Sequence, residues 1–368
     1  MNVQAPHFAG LLSYPDKRDF LMNNLITYLN FRGDLTFKQQ KFNENDAMVL
    51  VILTSIDYEE LNCDNLTVKS LYDAYVALAH KDEQDECIDN KEEVLKLAAE
   101  SNRFSDIPVE RYVRDINPAE EKTFYAMTFS LGRFDKMVVF RGTDGSLLSW
   151  KENFNTIHTM PTAGQYSALS YLQKELARPL VKVSVAGHSK GGNLAVYAAM
   201  CLEEKLRKKL KKVYAFDAPG FPEDISNKLG YLDVKDRIEA YVPESCVIGN
   251  LMKPPFERRV VRGIGKGVYQ HDIFNWELTP FGIFEEKSTN LFSTELSYKV
   301  NNWIESIPID NRAKVVSELF DVFEKNGISH ITDLMHMDLR KIVGIIKCAT
   351  LLSSENRHLL GIIIKELR

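Results

Sequence analysis

Val181-Lys182-Val183-Ser184-Val185-Ala186-Gly187-His188-Ser189-Lys190-Gly191-Gly192-Asn193-Leu194-Ala195-Val196-Tyr197-Ala198-Ala199-Met200 begins as a β-branched apolar run, tightens into a glycine-bounded turn and continues in small residues. Val181, Val183 and Val185 suit a buried parallel strand that stops at Gly187. Gly187 and Gly191 flank Ser189 because a β-carbon at either place would collide with strand or helix in a strained turn. The helix that starts near Gly191 points free backbone N–H groups back at the serine, so the N–H of Lys190 is a natural donor to an oxyanion.

Strand, turn and helix in this order are the nucleophile elbow of an α/β-hydrolase sheet, with Ser189 as the nucleophile. A phosphate-binding loop is the rival pattern. It needs Gly-x-x-x-x-Gly-Lys, which is absent, and here the lysine precedes the paired glycines.

Outward from the elbow, strands are predicted at Thr123–Ser130, Lys136–Phe140, Val213–Phe216, Arg237–Val242 and Arg258–Arg262. Helices are predicted at Ala163–Ala177 and from Gly191 to about Lys209. Strands alternating with helices imply a mostly parallel, doubly wound sheet. Upstream, Phe20–Phe31, Val68–His80 and Asn90–Asn102 have helical spacing, and Asp46–Leu53 is an apolar stretch. This mixed segment is expected to supply helices and an early strand. Beyond about Ser293 the pattern is helical: Asp310 is a plausible N-cap for Arg312–Lys325, which Asn326-Gly327 would stop. Two further helices are expected at Asp338–Leu352 and Ser354–Leu367, with an apolar stripe at Leu359, Leu360, Ile363 and Ile364.

The expected architecture is an α/β-hydrolase fold with a mostly parallel central sheet, an N-terminal mixed segment and a C-terminal helical extension. Its domains are a catalytic domain over 1–292, with N-terminal helices and an early strand in 1–120 and the core in 121–292, followed by the extension over 293–368.

The chain has 368 residues, is 45 % hydrophobic and carries a formal net charge of −5. Such a balance argues against nucleic-acid binding, which calls for a basic face. Met1–Phe20 is interrupted by Pro6, Pro15 and Asp16-Lys17-Arg18-Asp19, leaving no apolar core for a secretion signal. The apolar run Met48–Leu53 is too short to span a bilayer. A cytoplasmic protein with no integral membrane segment is expected. Cys63, Cys87, Cys201, Cys246 and Cys348 form no Cys-x-x-Cys pair, which predicts free thiols and no metal; no organic cofactor is implied either.

An elbow serine needs a base, and in this fold the order is serine, acid, histidine. His7, His80 and His158 precede Ser189, His188 adjoins it, and His330, His336 and His358 lie in the helical tail. His271 remains, just past the last predicted strand, to take the Ser189 proton and return it to the leaving group. The acid is Asp217 or Glu244, each at the carboxyl end of a predicted strand. Asp217 is favoured because the Pro219-Gly220 turn fixes its short side chain. The second oxyanion donor falls to Thr143, in the loop after Val138-Val139-Phe140 where Gly142 allows close approach. Leu147, Leu148, Trp150, Phe154 and Ile157, within Gly145–Met160, read equally as an apolar lid or as core.

Phe140-Arg141-Gly142-Thr143, followed by Trp150 and Asn153, together with Gly187-His188-Ser189-Lys190-Gly191-Gly192, resembles the class 3 lipases. Within that superfamily the chain is similar to the DUF2974 proteins. The resemblance is carried by Gly-His-Ser-Lys-Gly-Gly-Asn-Leu-Ala from Gly187, Phe-Asp-Ala-Pro-Gly-Phe from Phe216, Val-Pro-Glu-Ser-Cys-Val-Ile-Gly from Val242 and Gln-His-Asp-Ile-Phe-Asn-Trp from Gln270. It covers roughly Asn24 to Trp276. It implies Ser189 as nucleophile, Thr143 and Lys190 as oxyanion donors and His271 as base. Two departures stand out. Lys190 occupies a place where those lipases carry an apolar residue, and Ala240 stands where their acid motif has aspartate.

Together these features imply a lipase-like serine hydrolase acting on a small acyl-ester or lipid substrate. A thioesterase or acyltransferase would use the same triad. The contrasting possibility is a non-catalytic binding module whose helical tail recruits a protein partner.

Overall fold

The computed structural model describes residues 24–79, 90–252, 254–286 and 288–330, together with Asp333 and Arg357. Met1–Phe20, His7, His80, His336, His358, Cys87, Cys348 and the two helices expected beyond Asp338 therefore lie outside the described residues.

Four helices come first: α1 (Leu25–Arg32), α2 (Glu44–Ser55), α3 (Val68–Ala79) and α4 (Asn90–Glu100). The apolar stretch Asp46–Leu53 is thus helix, and the early strand of this segment comes later, as β1 (Val109–Asn117). The start of α2 is fixed by a capping box, in which the Asn43 side chain accepts from the Asp46 N–H and the Asp46 carboxylate accepts from the Asn43 N–H. Every residue from Asn45 to Thr54 is buried. A helix buried all round shows no 3.6-residue alternation, so its sequence imitates a buried strand. Arg103 grips the Asp46 carboxylate through Nε and Nη2, both at 2.6 Å.

After β1 follow β2 (Lys122–Ser130), β3 (Asp135–Phe140), α5 (Leu147–Asn155), α6 (Ala163–Ala177), β4 (Lys182–His188), α7 (Lys190–Cys201), α8 (Glu204–Arg207), β5 (Leu210–Phe216), α9 (Leu229–Val234), β6 (Ile238–Pro243) and β7 (Arg258–Val261). The helix expected to run from Gly191 to Lys209 is broken at Leu202-Glu203, where Leu202 leaves the helical region at ψ 149. A hairpin of β8 (Leu278–Thr279) and β9 (Gly282–Ile283), the short strand β10 (Glu285–Glu286), α10 (Leu291–Ser306) and α11 (Ile309–Lys325) complete the described elements. Helix α11 starts earlier than Asp310 would allow as a cap. Pro308 is its N-cap, with no side-chain bond, and Asp310 sits in the first turn. Its stop is as expected, with Gly327 at φ 68 and Ile328 N–H returning to Phe323 O.

The eight-stranded sheet has the order β1-β2-β3-β4-β5-β6-β7-β10. Strands β3 to β7 are parallel, while β1, β2 and β10 pair antiparallel at the two sides. This is an α/β fold with a mostly parallel sheet. One face, with Met137, Val139, Ala186 and Phe216, packs on the N-terminal helices. The other, with Val138, Phe140, Val183 and Val185, packs on α6 and α7. The register pairs Phe140 with Gly187, His188 with Phe216 and Phe216 with Tyr241. It aligns the carboxyl ends of four neighbouring strands, where the loops carrying Thr143, Ser189, Asp217 and Glu244 emerge. Among the described residues no helix is long and apolar enough to cross a membrane.

Candidate active site

Ser189 sits between β4 and α7 with φ 56 and ψ −125. A left-handed φ in a non-glycine residue is costly and persists only where the surroundings enforce it. Here the Ser189 N–H donates to Phe216 O at 2.9 Å, tying the turn to β5. The flanking glycines are needed for space. A Cβ on Gly187 would lie 2.2 Å from the Gly191 carbonyl, and one on Gly191 would lie 2.1 Å from Phe140 O.

Three of the predicted side chains converge. His271 Nε2 lies 2.9 Å from Ser189 Oγ, and His271 Nδ1 lies 2.6 Å from Asp217 Oδ2. Ser189 is 8 % exposed and Asp217 fully buried, so both bonds lie largely out of water. Asp217 is itself held in a left-handed conformation at φ 42, its N–H bonded to Tyr241 O at 2.7 Å. Its other oxygen, Oδ1, accepts from the Gly249 N–H at 2.9 Å. Glu244 enters only through its main chain: its N–H donates to Val261 O, and its carbonyl accepts from Asn290 N–H. Among the described residues no contact joins its carboxylate to His271.

The Thr143 hydroxyl accepts from the Asn153 amide on α5. The preceding glycine fits closely, since a Cβ on Gly142 would lie 2.8 Å from His188 O. The loop is fixed further by Asp144, which accepts from Ser146 N–H and hydroxyl and from the Tyr125 hydroxyl. Lys190 is the first residue of α7, a position whose N–H has no intrahelical acceptor. Its side chain turns inward. The ammonium lies 2.9 Å from Glu152 Oε2, with both side chains almost wholly buried.

The Mbeg1-like family profile matches residues 98–321. The chain belongs to the Mbeg1-like family. No curated protein matches it. Solved structures similar to this Mbeg1-like chain include a triacylglycerol lipase from Penicillium expansum, at 11 % identity and TM-score 0.37, covering 66 % of this chain and 83 % of that one. A lipase propeptide complex from Rhizomucor miehei is similar at 16 % identity and TM-score 0.37, covering 69 % and 76 %. The lipase from Rhizopus microsporus var. chinensis is similar at 17 % identity and TM-score 0.34, covering 69 % and 84 %.

Several residues of the Mbeg1-like site were not singled out by sequence. His188 donates from Nε2 to the His271 carbonyl at 2.8 Å, and the two rings stand 4.5 Å apart. Burial, then the neighbouring His271, pushes the His188 pKa well below 6.5, so the ring is neutral at pH 7. Cys246 Sγ lies 3.9 Å from His271 Nδ1. Burial, then the Asp217 charge, raises its thiol well above the usual range and keeps it protonated. Asp217, Cys246 and His271 are the group among the described residues whose ligand-type atoms cluster, within 4.8 Å of one another. Tetrahedral ligands about 2 Å from a metal stand more than about 3 Å apart. The 2.6 Å between Oδ2 and Nδ1 is instead the length of a direct hydrogen bond sharing a proton.

The segment read as lid or core also has a place. Leu147 and Ile157 are buried, and Trp150 and Phe154 pack with them against Ile304 of α10 and Val316, Leu319 and Phe320 of α11. Phe154 meets Phe320 edge-on at 5.3 Å.

Proposed function

We propose that this chain is a serine hydrolase that cleaves an acyl ester through a covalent Ser189 intermediate. The reading rests on one observation, the continuous line from Ser189 Oγ through both ring nitrogens of His271 to the buried Asp217 carboxylate. Ser189 Oγ attacks the ester carbon while its proton passes to His271 Nε2. The Nδ1–H stays bonded to Asp217, which stabilises the imidazolium against the cost of a buried charge. The N–H groups of Thr143 and Lys190 receive the developing oxyanion. His271 then gives the proton to the leaving alcohol oxygen. A water molecule repeats the sequence on the acyl-enzyme, releasing the acid and restoring Ser189.

The substrate class favoured is a dispersed acyl ester rather than a lipid surface, because the apolar face of α5 is already covered by α10 and α11. Labelling with a fluorophosphonate probe tests the chemistry. Wild type should label, and Ser189→Ala and His271→Ala should not. Labelling that survives in Ser189→Ala overturns the assignment of the nucleophile. No labelling of wild type favours a non-catalytic binding module. Esters of p-nitrophenol with short and long acyl chains then test the substrate class, short chains being expected to turn over faster.

A further inference from the structure

A charged lysine directly after the nucleophile is unexpected beside an apolar substrate, and its burial needs a reason. Lys190 Nζ has four acceptors within reach: Thr123 O and Thr123 Oγ1 at 2.7 Å, Glu152 Oε2 at 2.9 Å and Ser149 Oγ at 3.2 Å. Its three hydrogens are all used. Glu152 is equally engaged. Oε2 also accepts from the Thr123 N–H, and Oε1 accepts from the Gly164 N–H at the start of α6. Glycine leaves room for this, since a Cβ on Gly164 would lie 2.3 Å from Oε1 and the Glu152 carboxylate would have to shift. Buried ions are tolerated where every proton and lone pair is matched in this way.

The three α5 residues involved share one helix. Ser149 and Glu152 hold the Lys190 side chain, and Asn153, next in the chain, holds the Thr143 hydroxyl. The same helix therefore anchors both of the residues proposed above as oxyanion donors. Its opposite, apolar side is filled by α10 and α11. A helix bonded on one face and packed on the other is not free to swing as a lid.

We propose that α5 is a fixed buttress of the oxyanion-stabilising pair, with Lys190, Glu152 and Asn153 as positioning residues. This rests on the Ser189 hydrolase reading. The ion pair sets the azimuth of the first turn of α7, and so the aim of the Lys190 N–H, while Asn153 sets that of the Thr143 loop. Catalysis then needs no interface to open a lid.

The test compares Glu152→Gln, Asn153→Ala and the charge-neutral double variant Lys190→Met/Glu152→Gln with wild type. Turnover of p-nitrophenyl acetate is measured, with inhibition by phenylboronic acid, which forms a tetrahedral adduct on the serine. Loss of aim by about an ångström lowers kcat roughly 10²-fold. The boronate inhibition constant should rise in proportion while KM holds within about twofold, and the pH profile of kcat should keep its shape. An unchanged kcat in the folded double variant, or a loss confined to KM, overturns the proposal. Amide hydrogen exchange supplies a readout without turnover. Peptides spanning 142–147 and 187–193 should exchange faster in the variants, and unchanged exchange in both also overturns it. Failure of wild type to take a fluorophosphonate would instead sink the hydrolase reading, leaving exchange to decide whether α5 is a buttress.

Discussion

The Gly249 N–H bonds to Oδ1 of Asp217 at 2.9 Å, leaving Oδ2 alone to face His271. The fit has no slack, because a Cβ at Gly249 would lie 2.4 Å from that same oxygen and 2.6 Å from Val242 Cγ1. Gly249→Ala should therefore turn the carboxylate and lower kcat roughly 10²-fold, the order of loss for a displacement of about an ångström. Steady-state kinetics on a p-nitrophenyl ester checks it, and turnover equal to wild type would contradict it.

The two acids separate in the same assay. Asp217→Asn should cost about 10⁴-fold in kcat, as loss of the orienting carboxylate does in serine proteases. Glu244→Gln should stay near wild type, since Glu244 is held through its main chain. The reverse order would move the triad acid to Glu244.

Gly191→Ala tests the elbow as a structural device. The new methyl would meet Phe140 O at 2.1 Å and its carbonyl carbon at 2.9 Å, neither of which is a flexible side-chain end. Overpacking against backbone should destabilise by about 1–3 kcal/mol or more, read as a fall in the urea midpoint with unchanged slope.

His188 gives stability a pH dependence. Its folded pKa lies well below 6.5, so between the two values the unfolded chain binds the extra proton. The contribution is fully present above about pH 6.5 and is lost as pH falls towards the folded value, at about 1.4 kcal/mol per pH unit. Urea unfolding of wild type at pH 7.5 and 5.5 should show this decline. His188→Gln should flatten it, and an identical slope in both proteins would exclude His188 as its source.

Phe320→Ala examines how the tail holds α5. Phe320 is 1 % exposed and sits edge-on to Phe154. Its loss should cost about 3–5 kcal/mol and speed amide exchange across Leu147–Asn155. Exchange unaltered there would show that the tail does not brace the helix.

The parallel core was legible because buried strands and capped helices carry their own periodicity. The elbow was legible because its glycines answer a local steric demand. Helix α2 was obscured by burial on every side, although Asn43 and Asp46 already formed a capping pattern. An early strand was expected within 1–120 but not located at β1, because Glu110, Arg111, Arg114 and Asp115 interrupt any apolar alternation at the rim of the sheet. Asp217 was placed at a strand end by pattern. Gly249 and Glu152, 32 and 38 positions away from their partners, join the site through tertiary contacts with no sequence spacing of their own. A lysine directly after Ser189 was the one available hint that a buried carboxylate stood somewhere behind it.

That hint extends to kinship. A mutation at 190 or 152 alone strands a charge in the interior, so drift at either position should be blocked until the other changes. Related chains are therefore expected to hold lysine and glutamate together or to lose both, with glycine at 164 released from constraint only in the latter. Read across a lineage, this trio would mark where the buried charge pair behind Ser189 was gained or lost.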